Sequence, residues 1–280
     1  MKIAIIGLGL IGSSLAGDLT RLNQHQIIGI SRRSTTCEKA KKLGIVHQSS
    51  IDLSLVQGCE IVVICTPIES TIPTLAQIIP YLSNTTVVTD VASVKVPIVR
   101  EGKKLWHNFI GSHPMAGTAE QGIDAVQKNL FNNAPCVITV EDDEDREKGA
   151  LLRDLWQSVG CNILTTTAEI HDQAVAWISH LPVIISANLI YACMQEKDQF
   201  VREFAQKIAS SGFRDTSRVG GGNPELGLMM AKNNRDNLLE NLRLYQAHLT
   251  GIINDLEEEN WSKINDLLTF TNQSRSDFIK

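Results

Sequence analysis

The hydrophobic residues of the first 167 positions occur mainly in short, uninterrupted runs, which is the pattern of buried parallel strands. These runs predict strands at residues 2–6, 26–30, 60–65, 85–89, 108–110, 136–140 and 162–165. The stretches between them that follow helical patterns are residues 13–21, 39–43, 71–79 and 146–159. Because strands alternate with helices, we expect a mainly parallel sheet covered on both faces.

The pattern changes after residue 167, where no further strand is predicted. Residues 168–193 form a long, largely apolar helical stretch that Pro182 should kink or break just after His180. Residues 200–210 and 235–256 continue as amphipathic helices, with a glycine-rich loop at 220–224 between them. The fold class predicted is α/β, with a doubly wound sheet domain at residues 1–167 and an all-α domain at 168–280.

Composition narrows the choice of partners. The chain has 280 residues, 43% hydrophobic and 20% charged, with a net charge of −5 and no basic run, which disfavours nucleic-acid binding. Its six cysteines include no CxxC pair, which argues against a zinc site or disulfide scaffold, so no metal and a reducing, cytoplasmic compartment are expected. No run of roughly 18 uncharged apolar residues and no signal peptide is evident, so no membrane association is expected.

A glycine motif follows the first predicted strand and opens the first helix. Its residues are Gly7, Leu8, Gly9, Leu10, Ile11 and Gly12. Gly7 would permit the tight turn, Gly9 would let the backbone approach a pyrophosphate, and Gly12 would allow close helix–strand packing. The helix start would offer free N–H groups to phosphates. In this context the motif predicts a Rossmann-type dinucleotide site; the alternative is a glycine-rich turn that binds nothing.

The end of the second strand bears on the choice of cofactor. NAD-binding units usually carry Asp or Glu here to bind the ribose 2′-hydroxyl, whereas this chain has Ser31, Arg32 and Arg33. Two guanidinium groups and a neighbouring hydroxyl suit the charge and acceptor oxygens of a 2′-phosphate. NADP is therefore predicted as the cofactor, with a solvated arginine pair as the alternative.

Two more strand ends reach the same edge of the sheet, where ligands bind in doubly wound folds. Cys65, Thr66 and Pro67 are predicted to line the nicotinamide-side ribose, unless they form a plain strand-ending turn. His113 is expected in a Gly/Pro-rich loop beyond its strand, where it could act as a base near neutral pH. Ser93 could hydrogen-bond His113 and fix its tautomer. The alternative is a structural histidine.

The helical part contributes a second polar cluster. Gln173, Trp177 and His180 share one helical face. Arg214 and Arg218 lie in a glycine-flanked segment, and arginine binds carboxylates through a planar pair of donors. A small acidic substrate is therefore implied, unless these arginines pair with Asp215 and neighbouring acids.

The chain resembles the prephenate/arogenate dehydrogenase family of tyrosine biosynthesis over nearly its whole length. The resemblance rests on residues 7–12, 90–95 (DVASVK), 111–118 (GSHPMAGT), 171–182 (HDQAVAWISHLP) and 212–218 (GFRDTSR), a set that general dehydrogenases lack. The loop at 31–33 resembles NADP-using arogenate dehydrogenases, particularly the cyanobacterial type. The resemblance implies a homodimer formed by the helical domain.

The resemblance also implies roles for single residues. His113 corresponds to the catalytic histidine. The residues implied to orient it or to bind substrate are Ser93, His180 and Arg218. Thr118 and Arg214 are also predicted to bind substrate. The implied reaction takes L-arogenate to L-tyrosine and CO2, with hydride transfer to NADP. In several relatives an acidic residue at the position of Ala119 helps set side-chain preference; here Glu120 comes one residue later.

Three other functions remain open. Prephenate could replace arogenate as substrate, giving 4-hydroxyphenylpyruvate. A β-hydroxyacid or pyrroline-carboxylate oxidoreductase would have a similar build, but no comparable lysine motif lies near residues 212–218. A non-catalytic NADP-binding protein would bind cofactor without turnover.

Overall fold

The computed structural model of the chain describes residues 1–118 and 120–279. Its first sheet contains five parallel strands in the order β3-β2-β1-β4-β5, and a second contains β6, β7 and β8. The strands are β1 Lys2–Ile6, β2 Gln26–Ile30, β3 Gln48–Ser50, β4 Ile61–Ile64, β5 Val87–Asp90, β6 Ser112–Pro114, β7 Pro135–Thr139 and β8 Asn162–Thr166. A parallel bridge between Val88 and Phe109 connects the two sheets.

Helices cover both faces of the five-stranded sheet, which confirms the predicted α/β class. The helices of this part are α1 Leu10–Leu22, α2 Ser34–Lys42, α3 Ile68–Ile78, α4 Val96–Leu105 and α5 Asp143–Ser158. Alternate residues of β1 enter two separate cores: Ile3 and Ile5 pack into one, and Ala4 and Ile6 into the other. This alternation is the reason why the strand is apolar from Ile3 to Ile6.

The sequence pattern missed two elements and displaced a third. Strand β3 is a three-residue edge strand of polar residues, so it has no hydrophobic signal. Helix α4, with Pro97 in its first turn, was not predicted. The strand expected at 108–110 lies instead at Ser112–Pro114, because Phe109 contributes only the isolated bridge to Val88.

The remaining helices begin immediately after the last strand. They are α6 Ala168–Val175, α7 Leu181–Met194, α8 Gln199–Ile208, α9 Ser211–Ser217, α10 Pro224–Asn233, α11 Arg235–Glu257 and α12 Trp261–Phe278. In the described residues no strand follows Thr166. By compactness the chain divides into one unit of residues 1–234 and another of 235–280, in which α11 packs against α12. The domain boundary at residue 167 remains a prediction.

Pro182 does not break the helical stretch that contains it. Residues Ala176–His180 form a π-helical turn between α6 and α7, and Pro182 occupies the first turn of α7. The distortion lies just before the proline because the ring removes one hydrogen-bond donor, and the wider turn absorbs that loss. Of the predicted kink or break just after His180, the break is therefore wrong: the helix is distorted up to His180 but continuous from Ala168 to Met194.

This continuity changes the length of the longest apolar helix. Ala168–Met194 has 27 residues and a mean hydropathy of 1.5 in its most apolar window, enough by length and composition alone to cross a membrane. From sequence, residues 168–193 were recognised as a largely apolar helical stretch, but no run of roughly 18 uncharged apolar residues was identified in the chain. A single helix of this kind is weak evidence for a span, since core helices of globular proteins have the same composition.

Candidate active site

The glycine motif forms a tight turn between β1 and α1. Gly7 has a φ of +101°, and a Cβ there would lie 2.6 Å from the carbonyl oxygen of Cys65. A Cβ on Gly12 would lie 2.0 Å from the carbonyl oxygen of Gly7. Gly9 is different, because a Cβ there would meet no protein atom within 4 Å. Two glycines therefore allow close packing of the turn, and the third faces open space.

The start of α1 is suited to an anion. Gly9 is its N-cap, no side chain caps the helix, and its first turn carries no acidic residue. The first N–H groups of an α-helix have no partner within the helix, and they carry partial positive charge. The backbone N–H groups of Leu10, Ile11 and Gly12 thus lie at the positive end of α1, where an anion would be stabilised.

The loop after β2 carries two arginines with no acidic partner. Arg32 and Arg33 are exposed, and across residues 1–118 and 120–279 neither forms an ion pair. Arg33 is the N-cap of α2, whose first turn also lacks an acidic residue. The amide of Arg33 approaches the Ser31 hydroxyl at 3.4 Å. Cationic and hydroxyl groups are thus available together at the end of β2.

The segment after β4 lies directly against the glycine turn. The Cys65 amide bonds to the carbonyl of Ile6 at 2.6 Å, and the Cys65 carbonyl abuts Gly7. The Thr66 hydroxyl is buried and has no hydrogen-bond partner among the described residues. We refer to residues 7–12, 31–33 and 65–67 together as the glycine-turn region.

His113 lies within β6 and not in a loop beyond its strand, which corrects the expectation from sequence. It is paired with Val137 of β7 and is 9% exposed. Its neighbour Ser112 holds β6 against β5, because the Ser112 hydroxyl donates to the carbonyl of Asp90 at 2.6 Å and accepts from Thr89 at 2.9 Å. The strand therefore fixes the backbone of His113 at the edge of the sheet.

A chain of hydrogen bonds runs from His113 into the helical part. Nδ1 of His113 lies 2.9 Å from Nε2 of His171, and Nδ1 of His171 lies 2.8 Å from Oδ1 of Asp172. Sequence reasoning placed Ser93 beside His113 as the residue that fixes its tautomer. In the described residues the Ser93 hydroxyl makes no hydrogen bond to His113, and His171 takes that position. The HD pair at the start of the 171–182 segment was the signal that could have revealed it.

Asp90 and Lys95 form a fully buried ion pair beneath this chain. Both side chains have 0% exposure, and Lys95 Nζ bonds to Asp90 Oδ2 and, at 2.8 Å, to the carbonyl of Ser112. Burying an unpaired charge is costly, so each of these ions stabilises the other. Sequence reasoning did not assign either residue a role.

Burial and neighbouring charge keep His113 neutral near pH 7. Burial lowers the pKa of His113 well below 6.5, and the positive charge of Lys95 and the nearby His171 and His180 lower it further. An imidazole in this state is an unprotonated base at neutral pH. The cationic form that would be unable to accept a proton is suppressed.

His180 is also buried, at the end of the π-helical turn. Its Nδ1 lies 3.1 Å from Nδ2 of Asn234, which also donates to the carbonyl of Asp172 at 2.7 Å. Nε2 of His180 is buried with no partner in the described part of the chain. Burial lowers the pKa of His180 to about 4, although Asp172 opposes the shift. We call Asp90, Lys95, His113, His171, Asp172, His180 and Asn234 the buried polar cluster.

The structure does not draw the other predicted substrate residues into this cluster. Arg214 is exposed and pairs with Asp215 at 3.2 Å, which is the alternative left open by the sequence. Arg218 follows α9 and is exposed, in a segment held to α7 by two hydrogen bonds with the Ser186 hydroxyl. Thr118 is exposed and its hydroxyl accepts from the Glu120 amide at 3.2 Å. Ala119 lies outside the described residues.

The described part of the chain contains no group of three or more histidine, cysteine, aspartate or glutamate side chains that could hold a metal ion.

The fold and site together define a dehydrogenase with a Rossmann-type nucleotide-binding domain. Family models agree: the prephenate dehydrogenase nucleotide-binding domain matches residues 15–165, and the prephenate dehydrogenase dimerization domain matches 167–270. The chain therefore belongs to the prephenate dehydrogenase family, and the resemblance found in its sequence is confirmed.

Individual relatives support the same family. The chain is 31% identical over 259 residues to the prephenate dehydrogenase of Lactococcus lactis, covering 90% of this chain and 70% of that protein. It is 52% identical to the solved Synechocystis arogenate dehydrogenase, with a TM-score of 0.91 and full coverage of both chains. The prephenate dehydrogenase of Aquifex aeolicus, solved with hydroxyphenyl propionate and NAD+, shares the fold with a TM-score of 0.92 at 23% identity, covering 99% of this chain and 98% of that one.

Proposed function

We propose that this chain oxidises L-arogenate to L-tyrosine and CO2 with NADP+ as hydride acceptor. The observation that carries the proposal is a neutral, buried His113 on a strand held against the carboxyl end of β5, together with a glycine turn at the carboxyl end of β1 that leaves open space at Gly9. The choice of arogenate draws on the 52% identity to the Synechocystis arogenate dehydrogenase. The related Lactococcus enzyme is named for prephenate, so prephenate is the second candidate.

The residues of the glycine-turn region fit a dinucleotide carrying a 2′-phosphate. Gly9 and the uncapped start of α1 would face the pyrophosphate, and Cys65, Thr66 and Pro67 would line the ribose on the nicotinamide side. Arg32 and Arg33 would bind the 2′-phosphate, because neither is engaged by an acidic side chain in the described residues. The nicotinamide, when bound, accepts a hydride from the substrate carbon that bears the hydroxyl.

In this proposal His113 accepts the proton of the substrate hydroxyl as the hydride leaves. The C–H electron pair departs as hydride and a C=O bond forms. Cleavage of the bond to the ring carboxylate then releases CO2, its electron pair makes the ring aromatic, and the former carbonyl oxygen takes back a proton, which protonated His113 can supply. Ser93 and Thr118 would contact the substrate near the histidine. The Nε2–H of His180 needs an acceptor, which a substrate oxygen would supply. Arg218, with Arg214, would bind a substrate carboxylate.

We further propose that the chain is a homodimer formed by its helical part. The family model for residues 167–270 is a dimerization domain. On α7 and α8 several large apolar side chains are exposed, among them Tyr191, Phe200 and Phe204. Exposed apolar patches of this kind mark interfaces. Sedimentation equilibrium should give twice the 30.8 kDa chain mass; a monomer at micromolar concentration would contradict it.

A steady-state assay that crosses arogenate and prephenate with NADP+ and NAD+ tests the function directly. We expect the highest kcat/KM for arogenate with NADP+. A higher value for prephenate would transfer the proposal to prephenate dehydrogenation. Binding of NADP+ without turnover of either substrate would favour a non-catalytic protein.

A further inference from the structure

Asp172 acts as a pure hydrogen-bond acceptor in the buried polar cluster. Its Oδ1 accepts from the Lys95 amide at 2.7 Å and its Oδ2 from the Val96 amide at 2.8 Å. These amides begin α4, so the carboxylate also lies at the positive end of that helix. Because Oδ1 faces the His171 ring as well, Nδ1 of His171 must carry the hydrogen.

The hydrogen on His171 determines the hydrogen on His113. A neutral imidazole that donates from Nδ1 has its lone pair on Nε2. Nε2 of His171 faces Nδ1 of His113 at 2.9 Å, so His113 must be the donor in that contact. Nε2 of His113 is then left with the lone pair. The Asp172 carboxylate, which is two hydrogen bonds away from His113, thus determines which ring nitrogen of His113 can accept a proton.

We propose that His171 and Asp172 are positioning residues that hold His113 in the tautomer with a basic Nε2. This inference rests on the proposed function only in taking His113 as the base. It assigns to His171 the orienting role that the sequence suggested for Ser93. Asp172 in turn holds His171, and the buried α4 amides hold Asp172, so His113, His171 and Asp172 are ordered by main-chain groups.

The arrangement also suits the charged state of His113 during the reaction. When Nε2 takes a proton, Nδ1–H remains bonded to Nε2 of His171, and the Asp172 carboxylate lies beyond that ring. The positive charge of Lys95 disfavours a charge on His113, and a series of hydrogen-bond acceptors that ends in the Asp172 carboxylate offsets that repulsion. In serine-protease triads an aspartate orients histidine in the same manner, and removing its charge lowers kcat by about 10⁴-fold through the wrong tautomer.

NMR of the full-length protein labelled with 15N-histidine tests the tautomer without substrate or cofactor. We expect the His113 signals to show hydrogen on Nδ1 and a lone pair on Nε2 at pH 7. His171→Gln keeps a side-chain oxygen that can accept from Nδ1–H, so it should retain this tautomer. His171→Leu removes the acceptor and should lose it. Hydrogen on Nε2 of His113 in the unsubstituted protein, or an unchanged tautomer in His171→Leu, would overturn the proposal.

The value of kcat should depend on the tautomer of His113. We expect His171→Leu to lower kcat by about 10²-fold with less than about a threefold change in KM, since the pair acts on the base and not on the substrate. His171→Gln should recover most of that loss. Equal losses in both variants, with the tautomer retained in both, would mean that His171 serves packing alone and would overturn the proposal.

His47→Gln is the matched control. Nδ1 of His47 also accepts a hydrogen bond, from the Ile27 amide at 3.0 Å, but it lies at the opposite end of β2 from the loop at 31–33. This variant should leave kcat and the His113 signals unchanged. The NMR measurement does not depend on the substrate. If arogenate proves not to be the substrate, the His113 signals still show whether His171 and Asp172 fix the tautomer, so the two proposals can fail separately.

Discussion

The glycine-turn region and the buried polar cluster contribute to the same proposed site in opposite ways. The glycine-turn region is open: Gly9 faces empty space, Arg32 and Arg33 are exposed, and α1 begins without a cap. The buried polar cluster is closed, with every one of its seven side chains buried and hydrogen-bonded. The open region keeps its donors available for a ligand. The buried polar cluster uses most of its donors internally to prepare one ring nitrogen of His113, and among the described residues Nε2 of His180 is left without a partner.

The largest effect is expected from a substitution of His113, which removes a function of the buried polar cluster alone. Replacing it with Asn removes the base but leaves the glycine-turn region intact. We expect kcat to fall by about 10²- to 10⁴-fold, the usual contribution of general-base catalysis, with NADP+ affinity unchanged by fluorescence titration. A wild-type rate in His113→Asn would show that another group takes the proton.

The second prediction concerns the stability of the closed cluster. Lys95→Met leaves the Asp90 carboxylate buried without its partner. We expect a loss of about 3–5 kcal/mol in the free energy of unfolding, measured by urea denaturation. The matched control is Lys104→Met, which breaks the exposed pair with Glu101 and should cost less than about 1 kcal/mol. Similar losses in both variants would mean that the buried ion pair stabilises the fold no more than the exposed ion pair does.

The two regions also differ in how far the sequence predicts them. The glycine-turn region is local: residues 7–12 follow β1 directly, residues 31–33 follow β2, and each strand end was found at the correct position. The parallel sheet and its two covered faces follow from the same apolar runs. What failed locally were elements with weak patterns, such as the polar edge strand β3 and the π-helical turn before Pro182.

The closed cluster could not be assembled from sequence alone. His113 was singled out, but its partner His171 lies 58 positions further along the chain, and Asp172 reaches back to the start of an unpredicted helix, α4. Asp90 and Lys95 were recognised only as part of the 90–95 motif. Spacing along one helix face suggested Gln173 and Trp177 beside His180, whereas the polar contact is made by Asn234. Long-range pairing of side chains leaves no periodic signal.

The third prediction concerns the two arginines of the glycine-turn region and the choice of cofactor. Arg32→Ala combined with Arg33→Ala removes both cationic groups at the end of β2. Since hydrogen bonds to charged groups contribute about 1.5–3 kcal/mol, KM for NADP+ should rise about 10- to 100-fold. KM for NAD+ and the melting temperature should change little, because both side chains are exposed. Equal increases for the two cofactors would refute 2′-phosphate binding.

The smallest effect expected is the part of the pH dependence of stability that comes from His180 in the buried polar cluster. Burial lowers the pKa of His180 to about 4, whereas the unfolded chain should titrate near 6.5. Between these values the unfolded state binds more protons, so stability is highest above pH 6.5 and falls as the pH drops toward 4. From pH 7 to pH 5 we expect His180 to account for about 1–2 kcal/mol of the loss in the free energy of unfolding.

Urea denaturation at pH 7 and pH 5 tests this prediction. The free energy of unfolding should decrease less in His180→Gln than in the wild type, whereas the Arg32→Ala, Arg33→Ala variant should show the wild-type decrease. If His180→Gln loses as much stability as the wild type, the His180 ring is not held neutral by burial, and the pH sensitivity must come from other groups, such as His113, whose pKa is also lowered by burial.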